Sequence, residues 1–165
     1  IKPRSAEGVI DEDPTHWFIV RVTVTDQDFP PGVTGIRDYE SRLVFEFPDG
    51  DPIKVEADIA MNHRRTRLET GERVQLRSAV LQMKAPVDGD IIMDVLVSSD
   101  GGTTWKSIFD TDKPTAKDGA TTGPEVTTFS VTELNPEDLL RYDVLAVGNN
   151  TVVSGELVIR GRIVI

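Results

Sequence analysis

Cysteine is absent from the 165 residues, which excludes disulfide bonds, thiolate metal sites and cysteine nucleophiles together. Aromatic residues make up only 6% of the chain, which disfavours a sugar-binding platform of several exposed rings. No hydrophobic run approaches the roughly 20 residues that cross a bilayer, so we expect no membrane insertion. Basic residues are also fewer than acidic ones. The formal net charge of −10 disfavours nucleic acid as a partner, because binding to phosphates depends on clustered Lys and Arg.

Apolar residues instead alternate with a period of two, the spacing of strands that are buried on one face. The segment 17–25 predicts a strand that ends at "DQDFPPG". "SRLVFEF", the turn "PDGD" and "PIKVEADI" predict a hairpin. Its inward residues would be Leu43, Phe45, Phe47, Ile53, Val55, Ala57 and Ile59.

Three later segments predict further strands. "ERVQLRSAVLQM" begins with Val74 and Leu76 facing inward and loses its alternation after Ser78, which predicts a bulge or burial on both faces. "DIIMDVLV" and "GELVIRGRIVI" keep a regular alternation. Their inward residues would be Ile91, Met93, Val95, Val97, Leu157, Ile159, Ile163 and Ile165.

Eight to ten short strands with turns between them indicate an all-β fold, an antiparallel β-sandwich of jelly-roll type with a polar N-terminal arm. We assign residues 1–15 to an acidic arm or linker and residues 40–165 to the jelly roll. Residues 16–39 form either an attachment element or the first strand of the sandwich. Residues 110–124 are small and polar and lack the alternation of a buried strand, so we expect a long loop there.

One short motif, "SSDGGTTW", has the spelling of the Asp-box found in sialidase propellers. Its glycines allow the positive φ angles of a tight hairpin, and Asp100 can accept hydrogen bonds from the amides of the turn. A glycosidase would also require a pair of carboxylates or an arginine cluster, which the hairpin does not contain. We therefore predict a structural hairpin with no catalytic residue. Its residues are Ser98, Asp100, Gly101, Gly102, Thr104 and Trp105.

Positive charge is concentrated in "NHRRTRLETGERVQLR". One interpretation is a solvated loop and strand edge, where positive charge discourages edge-to-edge association. The other is contact with a polyanion or an acidic patch of a neighbouring subunit. The residues concerned are His63, Arg64, Arg65, Arg67, Arg73 and Arg77.

Acidic pairs and histidines do not predict a metal site. The pairs 49/51, 88/90 and 110/112 do not fit a calcium loop, and we interpret them as turn formers. His16 and His63 lie far apart in sequence and have no partner at zinc-ligand spacing. No nucleophile elbow, phosphate-binding loop or dinucleotide motif is present. We expect no metal, no cofactor and no enzymatic activity.

A longer pattern covers residues 72–165 in some form. It consists of "AP-x-G", an aspartate-bearing strand, a glycine hairpin, "IF", a Pro-Thr loop, an aspartate turn, "D-V-x-x-V-G" and a closing strand. Its residues are Ala85, Pro86, Gly89, Asp90, Asp94, Gly101, Gly102, Ile108, Phe109, Pro114, Thr115, Asp138, Leu140, Asp143, Val144, Val147, Gly148, Gly155, Leu157 and Arg160. This run resembles the jelly-roll domains of tailed-bacteriophage surface proteins, namely tail-fibre and baseplate adhesins, head fibres and decoration proteins. Glu137 stands where those domains usually have Gly.

The resemblance implies a non-enzymatic structural component of a phage particle, displayed on its head or tail. It would assemble with itself, commonly as a homotrimer, and with other virion proteins, and a host-surface glycan would be a further partner. A carbohydrate-binding module of a secreted bacterial protein is the alternative. A fragment of a glycosidase is a third reading, which the Asp-box alone supports.

Overall fold

The computed structural model describes residues 4–7, 21–26, 36–46, 52, 54–59, 64–66, 68–149 and 154–165, with the backbone alone for 4–7, 21–26, 36–37 and 64–65. These residues form eleven strands and no helix, which confirms the all-β prediction. No helix of the described part could therefore span a membrane.

The strands form two antiparallel sheets. The first sheet has the order β1 (Arg4–Glu7), β2 (Arg21–Asp26), β3 (Ile36–Glu46), β11 (Ser154–Val164), β5 (Arg73–Met83), β9 (Glu133–Leu134). The second has the order β4 (Arg64–Arg65), β10 (Leu139–Ala146), β6 (Ile91–Ser98), β7 (Lys106–Ser107), and β8 (Thr115–Ala116) also pairs with β6.

Long-range pairing gives the fold its jelly-roll character. β5 pairs with β11 in the first sheet, and the strands that continue from them, β6 and β10, pair with each other in the second. The consecutive strands β5 and β6 thus pair along their length with β11 and β10, and the resulting two-stranded antiparallel ribbon bends from the first sheet into the second. β10 and β11 also have partners on their other edges: β3 pairs with β11, and Glu56 bridges Val144 of β10.

The core lies between the sheets, on the faces that the alternation predicts. Ile91, Met93 and Val95 of β6 are fully buried, and Leu157 and Ile159 of β11 are nearly so. Ile165 is 79% exposed, so the predicted inward pattern of β11 stops at Ile163. Burial of an aliphatic side chain contributes about 1.5–3 kcal/mol, which makes this alternation the main source of stability.

The phase change predicted in β5 is a β-bulge at Arg77. Leu76 lies opposite Gly161 and Ser78 lies opposite Arg160, so Arg77 is the extra residue. Beyond the bulge Ser78, Ala79, Val80 and Leu81 are all buried. Both expected explanations, a bulge and burial on two faces, are therefore confirmed.

The predicted hairpin between residues 43 and 59 is wrong. β3 has β2 on one side and β11 on the other, so neither of its edges is open to residues 54–59. Glu56 instead bridges Val144 in the second sheet. Val55 is 60% exposed and Ile59 is buried, so the segment does not bury the predicted face. Phe47 and Ile53 lie outside the described residues.

The predicted polar loop is an ordered strap, a name we use for residues 110–126. It contains β8, whose Thr115 and Ala116 are buried, contrary to the expectation of no buried strand. Its backbone bonds run to both sheets: Met93 N donates to Pro114 O at 3.0 Å, and Gly123 N donates to Leu81 O at 3.0 Å. The strap thus covers the edges of β5 and β6 that would otherwise present unpaired backbone groups.

The N-terminal segment contributes to the same sandwich. β1, within the predicted arm, pairs with β2, and β2 pairs with β3 over six residues. β2 is thus a strand of the first sheet, with β1 before it and β3 after it. The boundary expected at residue 40 lies inside β3, which begins at Ile36. Residues 8–20 and 27–35 lie outside the described part.

Candidate functional site

The Asp-box hairpin is closed by the side chain of Asp100. Its Oδ1 accepts hydrogen bonds from the backbone N–H groups of Thr103 and Thr104 at 3.0 and 2.9 Å and from Ser98 Oγ at 2.7 Å. Its Oδ2 accepts one from Thr104 Oγ1 at 2.6 Å. Gly101 and Gly102 have φ angles of 74° and 94°. Every one of these donors is part of the turn itself, so the contacts of Asp100 close the hairpin.

These hydrogen bonds fix the ionisation of Asp100. The Thr104 hydroxyl contributes most, followed by the Thr104 amide and Ser98, and together they lower the pKa of Asp100 to about 2. A carboxyl group with this pKa stays ionised at neutral pH and cannot act as a general acid there. The chemistry of the Asp-box is therefore that of a turn.

Trp105 leads from the turn onto the outer face of the second sheet. The guanidinium of Arg141 on β10 lies 5.5 Å from the centroid of its ring, within the range of a cation–π contact. Arg141 also donates two hydrogen bonds to Asp143, at 3.1 and 2.8 Å. One face of the indole is thus occupied by a side chain that is itself held in place.

Asp94 lies beside this group, directly across the strand pair from Asp143. It accepts hydrogen bonds from Ser107 Oγ at 2.6 Å and from Lys113 Nζ of the strap at 2.9 Å. Asp143 also accepts one from the backbone N–H of Asp58 at 2.8 Å. Both aspartates are buried and ion-paired, Asp94 with Lys113 and Asp143 with Arg141. Neither is placed as an open carboxylate for acid–base catalysis.

Sequence reasoning did not single out this carboxylate pair. Asp94 and Asp143 each occupy an outward position of a largely apolar strand, and that placement was the available signal. Their contact depends on the register between β6 and β10, which a single strand does not encode.

The predicted arginine cluster is divided between the two sheets. Arg73 and Arg77 lie on β5 in the first sheet, whereas Arg64 and Arg65 form β4 in the second. His63 and Arg67 lie outside the described residues. Arg73 pairs with Glu133 at 3.3 Å. The arginines that lie close together in sequence are therefore distributed over strands of both sheets.

A different charged group covers the outer face of the first sheet. Glu40 accepts hydrogen bonds from Arg42 at 2.6 Å and from Arg160 at 3.0 Å. Burial raises the pKa of Glu40, but the two guanidinium groups outweigh it and the net pKa is lowered. Arg77 and Arg160 line an open cleft of about 440 Å³ together with Asp38 and Glu40. Two positive and two negative groups balance there, so this cleft has no clear charge preference.

The acidic pairs were predicted to form turns, but Asp90 bonds to the strap rather than within its own turn. Asp90 accepts hydrogen bonds from Lys117 Nζ at 2.8 Å and from the Asp118 amide at 3.0 Å, and these lower its pKa in that order. Asp110 and Asp112 are exposed on the strap. Among the residues that the structure describes, no group of three or more acidic or histidine side chains could hold a metal ion. Asp49 and Asp51 are outside that part.

A larger open cleft lies beside the strap and has a volume of about 660 Å³. Ile92, Leu145 and Ala146 of the second sheet contribute to it, and residues 111–113, 115, 117 and 124–128 form the remaining wall. No residue of this cleft was selected as a site from the sequence. Leu145, which is exposed although it lies in a strand, marks the cleft only once the structure is known.

Residues of the phage-like pattern have structural positions. Gly89 and Gly148 have φ angles of 80° and 55° and approach so closely that a Cβ on Gly148 would lie 2.7 Å from Asp88 O. Asp138 accepts hydrogen bonds from Ser99 Oγ at 2.6 Å and from the Asn135 amide at 2.7 Å. Glu137 does not have a positive φ, so its backbone does not require the glycine that the pattern has there.

Comparison of the chain with protein-family models, with curated proteins and with solved structures gave no match.

Proposed function

We propose that the chain is a structural component of a bacteriophage particle, displayed on its head or tail and acting by assembly, by attachment to the host surface, or by both. The resemblance of residues 72–165 to phage jelly-roll domains is the basis of the proposal. Its main support is that pattern residues with no obvious packing role form the corners of the sandwich. Gly89 with Gly148, and Asp138 with Ser99, are examples.

The distribution of polar groups agrees with a non-catalytic role. In the described residues, the aspartates that are most constrained, Asp94, Asp100 and Asp143, are each held by several donors of the same chain. Asp94 and Asp143 are buried and ion-paired, and such a carboxylate stabilises a display scaffold because it fixes the strands that carry its partners. Asp100 is exposed and closes only its own turn.

Assembly would use the side of the sandwich away from the strap. The strap and β9 cover the edges of β5 and β6, whereas the described sheets end at β1 and β4 on the other side. Strand edges and charged faces of this kind pair with symmetry mates, and several copies on a particle add weak contacts through avidity.

The test is the oligomeric state and the location of the protein. We expect a trimer in size-exclusion chromatography with light scattering, and labelling of the particle surface when phage are imaged with a specific antibody. A particle that carries no label would contradict the proposal.

The open cleft beside the strap favours a second candidate, a carbohydrate-binding module of a secreted bacterial protein. This module would be a monomer that binds a glycan and would not label a particle. The same two measurements therefore separate the two candidates.

A further inference from the structure

We infer that the cleft beside the strap is a binding site for a glycan chain without acidic groups, either neutral or amino-bearing. This inference rests on the proposed role in surface attachment and names the ligand class and the residues. The volume of the cleft, about 660 Å³, is within the range of small-ligand sites, which is about 300–1,000 Å³.

The floor of the cleft is apolar and open to solvent. Leu145 is 43% exposed although it lies in a strand, and Ile92 and Ala146 line the cleft beside it. The antiparallel bridge between Glu56 and Val144 places Val55 opposite Leu145, where Val55, 60% exposed, lies outside the lining of the cleft. An exposed apolar surface in a groove marks a contact site for a ligand. This one is shallow and aliphatic, which fits the C–H face of a sugar ring.

The rim supplies hydrogen-bonding groups. Thr111, Thr127 and Thr128 line the cleft and are exposed, and each hydroxyl both donates and accepts. The carboxylates of Asp112 and Glu125 have no ion pair with any described residue, and each can accept hydrogen bonds from two neighbouring hydroxyls. Free acceptors and hydroxyls around an aliphatic floor match the alternation of polar and apolar surface on a sugar.

Charge selects against acidic ligands. The two lysines of the cleft are occupied: Lys113 binds Asp94 at 2.9 Å and Lys117 binds Asp90 at 2.8 Å. Asp112 and Glu125 therefore leave the rim with negative charge that no cation of the described part offsets. This field repels uronic, sialic or phosphorylated chains and attracts an ammonium group.

The walls are ordered before a ligand arrives. The first wall is fixed by the bond from Met93 N to Pro114 O at 3.0 Å and by the Lys113–Asp94 ion pair. The second is fixed by Val126, whose N–H and carbonyl both bond to Ala79, at 2.8 and 2.9 Å. A site held in this way loses little entropy on binding.

The test is a titration of the ¹⁵N-labelled chain with hexamers of maltose type, chitosan type and galacturonate type, followed by NMR. We expect saturable shifts of the amides at 111–112, 127–128 and 145–146 with the neutral or the amino-bearing hexamer, and none with hexagalacturonate. The inference is overturned if neither of the first two moves these amides, if the shifts map elsewhere, if hexagalacturonate binds as well, or if hexalysine alone reproduces them.

Matched variants assign the contacts. Leu145→Ala should weaken binding of whichever hexamer binds by about tenfold, since it removes the exposed floor. Asp112→Asn with Glu125→Gln should weaken the chitosan hexamer by about tenfold relative to the maltose hexamer. Asp110→Asn, an exposed carboxylate outside the lining, is the control and should change neither. A labelled particle with no glycan shifts would refute this site while the proposed function stands.

Discussion

The Asp-box hairpin and the strap are both surface connections rich in Gly, Asp and Thr, yet they are stabilised in opposite ways. The hairpin is closed by Asp100, whose hydrogen-bond partners lie within four residues of it. The strap is held by backbone bonds to β5 and β6 and by the Lys113–Asp94 ion pair, across 19 residues of sequence. A local motif can be recognised from its own residues, whereas a strap is defined by the edges that it covers.

We expect the largest loss of stability from a substitution in the strap. A Cβ on Gly123 would overlap the carbonyl oxygen of Thr115, so Gly123→Ala must move the backbone of β8. We expect a loss of about 3–5 kcal/mol in the free energy of unfolding, measured by denaturant titration. Gly119→Ala, where φ is 77° and the space is open, is the control and should cost about 1–2 kcal/mol. Equal losses would show that the strap is not held by close contact at Gly123.

Two lysines of the strap allow the contribution of a buried ion pair to be compared with that of an exposed one. Lys113→Met leaves the buried Asp94 without its cation, and we expect a loss of about 2–3 kcal/mol. Lys117→Met removes the partner of the more exposed Asp90 and should leave the denaturation midpoint unchanged. If both variants behaved alike, the distinction between the two ends of the strap would fail.

We expect a smaller loss of stability from a substitution in the hairpin. Asp100→Ala removes the acceptor of two turn amides and should lower Tm by roughly 3–6 °C. The proposed trimer should still form in light scattering if the residue is purely structural. Asp110→Ala, an exposed aspartate of the strap, should leave Tm unchanged. Loss of assembly at an unchanged Tm would instead assign Asp100 to an interface.

The smallest effect is the pH dependence of the hairpin. Because the folded pKa of Asp100, about 2, is below the ordinary value of 3.8, its stabilising contribution is full above about pH 4 and is lost as the pH falls towards 2. Thr104→Val should raise this pKa, since the Thr104 hydroxyl is the largest cause of the shift. NMR titration of the carboxyl carbon measures both. An unchanged pKa in the variant would exclude that hydroxyl as the cause.

The charged residues show how far sequence reasoning reached for the candidate site. Ser98, Asp100 and Gly102 could be assigned to a turn because the hydrogen bonds of the Ser98 and Asp100 side chains run to neighbours in sequence. Arg73 and Arg77 could not be separated from Arg64 and Arg65, because a cluster in sequence does not show which sheet each strand joins. The cleft beside the strap could not be predicted at all, since its lining comes from β6, β10 and two distant parts of the loop.

The sequence by itself determined the strand class, the inward faces of β6 and β11 and the closure of the Asp-box. Each of these depends on the period of two or on residues within a few positions. Only the tertiary structure decided that β3 pairs with β11 rather than with residues 53–59, that the strap covers two edges, and that Asp94 lies against Asp143. Strand partners are chosen by competition among all the edges of the chain, and local alternation does not encode that choice.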